Sequence, residues 1–473
     1  MDNISKIVAN VNTYLSNYIL IILLVGVGLY YTIATRFVQI RCFKEGWKRT
    51  IGNFSLDGEK HKSGLSSFQS LATAIAAQVG TGNIVGACGA ILIGGPGAIF
   101  WMWIIAFFGM ATIYGEAVLA QKTRVVAEDG TVKGGPVYYI TSVFKGKFGK
   151  FLAIFFAIAA VLALGFMGSM VQSNSIAQSC KTAFSIPTWA TGLIVSAICA
   201  FIFIGGVQRI GAVVEKMVPF MATLYIIGGI MVLGVNFKHI PETFGMIFKY
   251  AFNAKAALGG SVGAAIYVAL TQGAKRGLFS NEAGMGSTPH AHAQANVAKP
   301  HDQGVCAMIG LFIDTFVVLT FTALIVISTF FVGEGALNPA NFNGAVLADV
   351  AAANGLENTN LAQQAFGIAF GNANIGNIFV AICLFFFAFS TIIGWNLFGR
   401  INAVYLFGKK FNIVYSIISI AFIFTGSILS NTLVWDLTDM FNNLMVIPNV
   451  IALFALGKMV KEISKTNKQN SLE

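Results

Sequence analysis

Charge is scarce in this 473-residue chain. Asp, Glu, Lys and Arg together make up 10%, where roughly a quarter is usual for a soluble domain. Apolar residues reach 56%, 51 glycines come on top of that, and mean hydropathy is +0.75. One water-soluble core cannot hide so much apolar surface behind so few charges. A soluble enzyme is excluded, and so is a disordered chain, whose composition runs the other way. Metal and disulfide signatures are lacking as well. The six cysteines (42, 88, 180, 199, 306 and 383) have no CxxC spacing, and most read as small apolar filler. His290 and His292 stand two apart with no Cys or acidic pair beside them. No nucleophile–base set or phosphate loop is present. The glycines of Gly80-Thr81-Gly82 are followed by a spacing one residue too long for GxGxxG, without a βαβ context.

Long apolar runs fill the space instead. A membrane helix needs roughly 20 mainly apolar residues, and eleven runs qualify: 14–35, 67–94, 97–121, 149–179, 188–207, 212–236, 259–281, 303–331, 375–406, 411–430 and 439–459. They are too long and continuous for barrel strands, so the fold class is an all-α membrane bundle. The net charge of +11 would suggest nucleic acid in a soluble protein. Sorted by run, it becomes a topology map. One set of loops holds 25 of the 30 Lys and Arg, the other only five (Lys6, Lys181, Lys238, Lys249 and Lys255), and 332–374 has none. Basic residues mark the cytoplasmic side. The expected orientation is an outer N-terminus and a cytoplasmic C-terminus in a cell membrane, with lipid as a partner and nucleic acid excluded. No obligate protein partner is indicated.

Polar atoms inside a bilayer mark function. In 67–94, Gln78, Gly80, Thr81, Gly82 and Asn83 interrupt an apolar span. A packing face built on Gly82 and Gly86 would explain the glycines, but not the amides and hydroxyl. An unwound segment explains all of them, with freed amides for an anionic group and freed carbonyls for a cation. In 259–281, Thr271, Gln272 and Gly273 form a second expected break. Gly80 and Gly273 are 193 residues apart, with five runs counted from each break, which points to two five-helix halves of opposite orientation. The expected organisation is an extra N-terminal helix (1–35), a cytoplasmic linker (36–66), a first repeat (67–236), an outer connector (237–258), a second repeat (259–459) and a tail (460–473).

The stretch from Gln78 to Gly86, and above all Gly277-Leu-Phe-Ser-Asn-Glu-Ala-Gly-Met-Gly-Ser-Thr-Pro-His-Ala-His292, resemble the signatures of the alanine or glycine:cation symporter family. Gly94-Gly-Pro-Gly97, Tyr114-Gly-Glu116, Gly134-Gly-Pro-Val-Tyr-Tyr139 and Gly394-Trp395-Asn396 extend the likeness along the chain. The resemblance implies a LeuT-type 5+5 inverted repeat and sodium-driven import of alanine or glycine, with no cofactor beyond co-transported Na⁺. A proton-coupled or uncoupled carrier of the same fold is the alternative.

An α-amino acid brings a carboxylate and an ammonium. Amides at a half-helix N-terminus suit the carboxylate, which points to Thr81, Gly82 and Asn83. Unwound carbonyls around Gln272 and Gly273 would accept from the ammonium, and Gln78 adds a side-chain amide. Phe166 and Trp395 are candidate walls of a small pocket, though Phe166 reads equally as a core or lipid-facing ring. By resemblance, a sodium site falls on the carbonyls of Ala76 and Val79 with Phe387, Ser390 and Thr391. Ser390 and Thr391 also stand out as a hydroxyl pair among phenylalanines, which in a helix can simply bond back to a carbonyl. Proton-coupled relatives of the fold carry a Lys in the fifth core helix, and 218–235 has none. Of the membrane acids, Glu116 is expected to pair with a basic residue and Glu215 to form a salt bridge, while Asp314 is deep enough to need a partner or water. Lys275, Arg276 and Glu282 are candidates for a cytoplasmic gate.

Overall fold

The computed structural model describes residues 2–52, 65–128, 130–204, 206–253, 262–342 and 345–469. The start of the 259–281 run and parts of the 36–66 linker, the 237–258 connector and the tail lie outside the described residues. The chain is helical nearly throughout. In order, the main helices are α1 (Lys6–Ala34), α2 (Phe43–Gly52), the broken pair α3 (Ser67–Gln78) and α4 (Gly82–Gly94), α5 (Gly97–Thr123), α6 (Gly146–Phe184), α7 (Thr188–Ile204) and α8 (Arg209–Val235). Then come α9 (Val262–Asn281), the short α10 (Pro289–His292), α11 (Pro300–Phe330), α12 (Ala373–Phe407), α13 (Lys409–Ile428) and α14 (Asn431–Lys465).

Eight of these are long and apolar enough to cross a bilayer, or nine with the broken pair counted as one. Two of the eleven runs are not in that count. α7 has 17 residues, a length of about 26 Å at the short limit for a span. α9 has 20 residues but carries Thr271, Gln272, Lys275, Arg276, Ser280 and Asn281, which lower its hydropathy. Ile22, Phe201, Ile204 and Ile413 are exposed on the periphery, the arrangement expected of side chains that face acyl chains.

The first break forms as expected. α3 begins with a capping box, in which Ser66 accepts from the Gln69 amide and Gln69 returns a bond to Ser66, so its start is well defined. It ends at Val79, whose ψ of 89° leaves helical geometry. α4 resumes at Gly82 with a wide π-helical turn through Gly86, and the two halves are bent by 44°. The second break is elsewhere than expected. α9 runs unbroken through Thr271, Gln272 and Gly273. Gly273 serves helix packing there, because a Cβ would lie 2.7 Å from the Ala98 carbonyl oxygen and from Trp101 Cβ of α5. The helix opens after Asn281, where Glu282, Gly284 and Gly286 take φ of 60°, 85° and 80°.

Candidate functional site

The two breaks meet. A Cβ on Gly82 would lie 3.0 Å from Ser280 Cα, so only glycine lets the start of α4 approach the end of α9 this closely. Gln78 Nε2 crosses the junction and donates to the Asn281 carbonyl at 2.8 Å. Asn83 Nδ2 donates to Asp314 Oδ1 at 2.7 Å, and the Ser280 hydroxyl donates to the other oxygen of that carboxylate at 3.0 Å. Asp314 stands on a π-helical stretch of α11, Phe312–Leu319, a widened turn of the kind often found at functional sites. Its neighbour Thr315 adds a third donor at 2.8 Å. The carboxylate is fully buried and surrounded by these neutral donors.

At the first break, Asn83 Oδ1 accepts from the Gly80 amide at 2.9 Å. The Thr81 amide donates to Gln172 Oε1 of α6 at 3.1 Å, and the Thr81 hydroxyl donates to the same oxygen at 2.5 Å. Gln172 is buried, and its Nε2 has no hydrogen-bond partner among the described residues. An unpartnered buried donor at a helix break is a ready contact for an anionic ligand.

On the opposite side of α3, α12 presses against the break. A Cβ on Gly394 would touch Ala77 at 3.2 Å, and one on Gly80 would overlap Thr391 Oγ1. Thr391 donates to the Ala76 carbonyl at 2.9 Å and Ser390 to the same oxygen at 3.2 Å. Both hydroxyls also reach back to the Phe387 carbonyl, at 3.1 and 2.8 Å. The back-bond and the bridge to α3 therefore coexist. Ala76, Phe387, Ser390 and Thr391 form one buried oxygen cluster beside the non-helical Val79.

The chain has known relatives. A profile of the sodium:alanine symporter family matches residues 1–472. The chain belongs to the sodium:alanine symporter family. It is 38% identical over 475 residues to the sodium/alanine symporter AgcS of Methanococcus maripaludis, covering 100% of this chain and 98% of that protein. It is also 38% identical over 471 residues to the putative sodium/proton-dependent alanine carrier protein YrbD of Bacillus subtilis, covering 98% and 93%. Among solved structures, MhsT in complex with L-phenylalanine superposes with a TM-score of 0.54 at 16% identity, over 85% of this chain and 89% of that one. The symporter thus has the LeuT-type fold and is a multi-pass membrane protein of a family of amino-acid:cation symporters.

Other expected site residues fare unequally. In the symporter, Trp395 is fully buried, its indole N–H donates to Glu282 at the second break, and Phe279 stands edge-on to it with centroids 5.5 Å apart. Phe279 in turn meets Trp435 at 4.6 Å, so an aromatic layer lies against the junction. Phe166 is not part of that layer. Its ring stacks on Tyr415 and Phe422 in a separate small apolar cluster, whereas Gly168, two residues on, is the position that abuts Trp395. The Gln272 and Gly273 carbonyls are not released by unwinding, since α9 is continuous there.

The acids also differ from expectation. Glu116 has no basic partner among the described residues. It accepts from the freed Gly284 and Gly286 amides at 3.1 and 3.0 Å and from Asn449 at 2.7 Å. Glu215 accepts from Gln69 at 3.0 Å rather than from a base. Lys275 and Arg276 reach across to Asp439 of α14, at 2.6 and 3.4 Å, and the Arg276 guanidinium lies 4.3 Å over the Trp435 ring. Sequence reading missed Gln172, Asp439 and the role of Glu116. Each acts on residues far away in the chain, and an isolated Gln or acid at a helix position gives no local sign of such a partner.

Proposed function

We propose that this protein imports alanine or glycine together with Na⁺, alternating access around the junction of its two broken helices. The observation that carries this reading is the meeting of Gly82 with Ser280 and of Gln78 with Asn281. It gathers an anion-binding helix start, freed carbonyls and two buried hydroxyls into one small space.

The substrate carboxylate binds at the N-terminus of α4, on the Thr81 amide and hydroxyl and the Gly82 amide, where the helix dipole adds to the hydrogen bonds. Gln172 Nε2 is the further donor. Asn83 acts by holding Gly80 and Asp314 in place. The ammonium takes acceptors at the end of α9, including the Asn281 carbonyl, in place of those expected at Gln272 and Gly273. Phe279, Trp395 and Trp435 bound the side-chain space and favour a methyl group or a hydrogen. A larger neutral side chain would have to displace a packed ring.

Na⁺ is a hard ion and selects oxygen ligands. The carbonyls of Ala76, Val79 and Phe387 with the hydroxyls of Ser390 and Thr391 supply them, the hydroxyls turning lone pairs toward the ion. An ion there ties α12 to the first break and so links its occupancy to the shape of the substrate site. The Lys275–Arg276–Asp439 cluster closes the side from which α9 enters. With the N-terminus outside, α9 enters from the outer side and opens only after Asn281, so the cluster is an outer gate rather than a cytoplasmic one, and Lys275 and Arg276 leave the cytoplasmic charge set.

Uptake of labelled alanine into proteoliposomes, with and without an inward Na⁺ gradient, tests the coupling. Accumulation only with the gradient supports it, and equal uptake in both defeats it. Thr81→Val and Asn83→Ala should each weaken alanine binding in folded protein. Proton coupling is the second reading, and Asp314 is the observation that favours it, because it is a fully buried membrane carboxylate at the junction with no basic partner among the described residues. On that reading an inward proton gradient drives uptake without Na⁺, and Asp314→Asn abolishes that proton-driven accumulation.

A further inference from the structure

A second ion-binding geometry lies outside the transport site, where α2 packs on α11. Cys42 caps the short helix Val38–Arg41, and Glu45 follows three residues later, so both face the same way. Gly46 is the residue that brings this face close. A Cβ there would lie 2.8 Å from the Val305 carbonyl oxygen and from Ile309 of α11. His301, the second residue of α11, meets the pair. Its Nε2 lies 3.4 Å from Glu45 Oε2, and one ligand atom from each of Cys42, Glu45 and His301 falls within 4.8 Å of the other two. Cys42 and His301 are buried, and the Glu45 side chain is 38% exposed, which leaves a path from solvent.

We propose that Cys42, Glu45 and His301 bind a thiophilic divalent cation of the Zn²⁺ type, which ties α2 to α11. The donor set is one sulfur, one oxygen and one nitrogen, a combination suited to zinc, with water as the fourth ligand. Bond lengths of about 2.0–2.3 Å place tetrahedral ligands about 3.3–3.8 Å apart. The Glu45–His301 separation already matches, and no gap has to close by more than about 1 Å. The outer contacts are also those of a metal centre. His301 Nδ1 is 2.7 Å from the hydroxyl of buried Tyr114 in α5, which fixes the ring with Nε2 toward the site. Arg49 takes the other carboxylate oxygen, Glu45 Oε1, at 3.0 Å, leaving Oε2 for the ion. Binding displaces the thiol proton, so affinity rises with pH. The ligands are 256 residues apart in the chain at His301 and Glu45, which is why no spacing motif announces them.

Cobalt(II) titration of the purified full-length protein, followed by zinc competition, tests the site. The expected result is a thiolate-to-cobalt charge-transfer band saturating near one ion per chain, removed by zinc. Losing a contact beyond the ligands commonly weakens such sites about 10–100-fold. Cys42→Ser should therefore abolish the band and weaken zinc at least about 100-fold, and Tyr114→Phe should weaken it within that range. Cys306→Ser should change nothing. Hydrogen exchange adds an independent readout, since zinc should protect 43–52 in the wild-type protein and not in Cys42→Ser. Absence of a thiolate band in folded wild-type protein, or zinc affinity unchanged in Cys42→Ser, would overturn the assignment.

Discussion

At Val79–Thr81 the chain leaves the helix with ordinary backbone angles, and side chains from elsewhere take up the freed groups: Asn83 for Gly80, Gln172 for Thr81. At Glu282–Gly286 it leaves through left-handed conformations, and a carboxylate, Glu116, holds the freed amides of Gly284 and Gly286. The difference is one of backbone conformation and permanence. A typical hydrogen bond of this kind contributes about 1 kcal/mol, and leaving a buried amide unpaired costs about 1–3 kcal/mol. The second break is pinned open, and left-handed Glu282, disfavoured by roughly 1–2 kcal/mol, is tolerated because Trp395 and Ser287 both donate to its side chain. At the first break, the acceptor on Thr81 can yield to a ligand.

The hardest way to break this contrast is Glu116→Ala. It strands two buried amides, each at about 1–3 kcal/mol, and frees Asn449. A loss of about 3 kcal/mol or more is expected, read as a lower melting temperature by size exclusion of heated, detergent-solubilised protein. Glu116→Gln should recover part of it. Equal melting of all three proteins would show that the second break does not depend on this carboxylate.

Gly80→Ala acts on the first break and should be milder in stability but larger in coupling. The added methyl overlaps Thr391 Oγ1 and pushes the hydroxyl away from Ala76, at an overpacking penalty of about 1–3 kcal/mol. Half-maximal activation by Na⁺ should rise at least about tenfold, and Thr391→Val should match it without the overpacking. Unchanged Na⁺ activation in Thr391→Val would remove this hydroxyl from the ion site. Gln172→Leu comes next. It keeps the shape but deletes the acceptor for Thr81 and the unpartnered donor, so alanine affinity should fall about tenfold, the equivalent of about 1.4 kcal/mol, with Na⁺ affinity in the absence of substrate little changed. Isothermal titration of the two ligands separates these effects.

How much was readable in advance follows from the same contrast. The first break announces itself locally: Gln, Gly, Thr, Gly and Asn inside an apolar run are poor helix residues with polar atoms to place. The oxygen cluster on α12 was likewise approachable, because Ser390-Thr391 stands out among phenylalanines and the resemblance pointed to Ala76 on α3, whose carbonyl both hydroxyls reach. The second break gave a false local sign. Thr271-Gln272-Gly273 looks like an interruption, but Thr271 bonds back to the Tyr267 carbonyl at 2.7 Å and Gly273 is small in order to pack on α5. The true opening depends on Glu116, 168 residues from Gly284, and on glycines that also read as ordinary turn residues. Phe166 and Trp395 differ for a related reason: a ring's identity says nothing of the direction it faces, and Phe166 stands on a π-helical stretch where the usual helical spacing does not hold.

The smallest expected effect is therefore an informative one. Gln272 is half-buried on a continuous helix, with its Oε1 unpartnered and its Cβ against Gly94. Gln272→Met keeps the methylene packing and discards the unpaired acceptor, so stability should stay within about 0.5 kcal/mol and alanine affinity should hold within about twofold. Shortening Asn281 to Ala removes its Oδ1, which accepts from the Ala283 amide at 3.1 Å. That change loosens the first turn after α9 and should weaken alanine binding several-fold more than the change at Gln272. If the order is reversed, the working conformation of α9 opens at 271–273 during transport, and the break after Asn281 belongs to only one stage of the cycle.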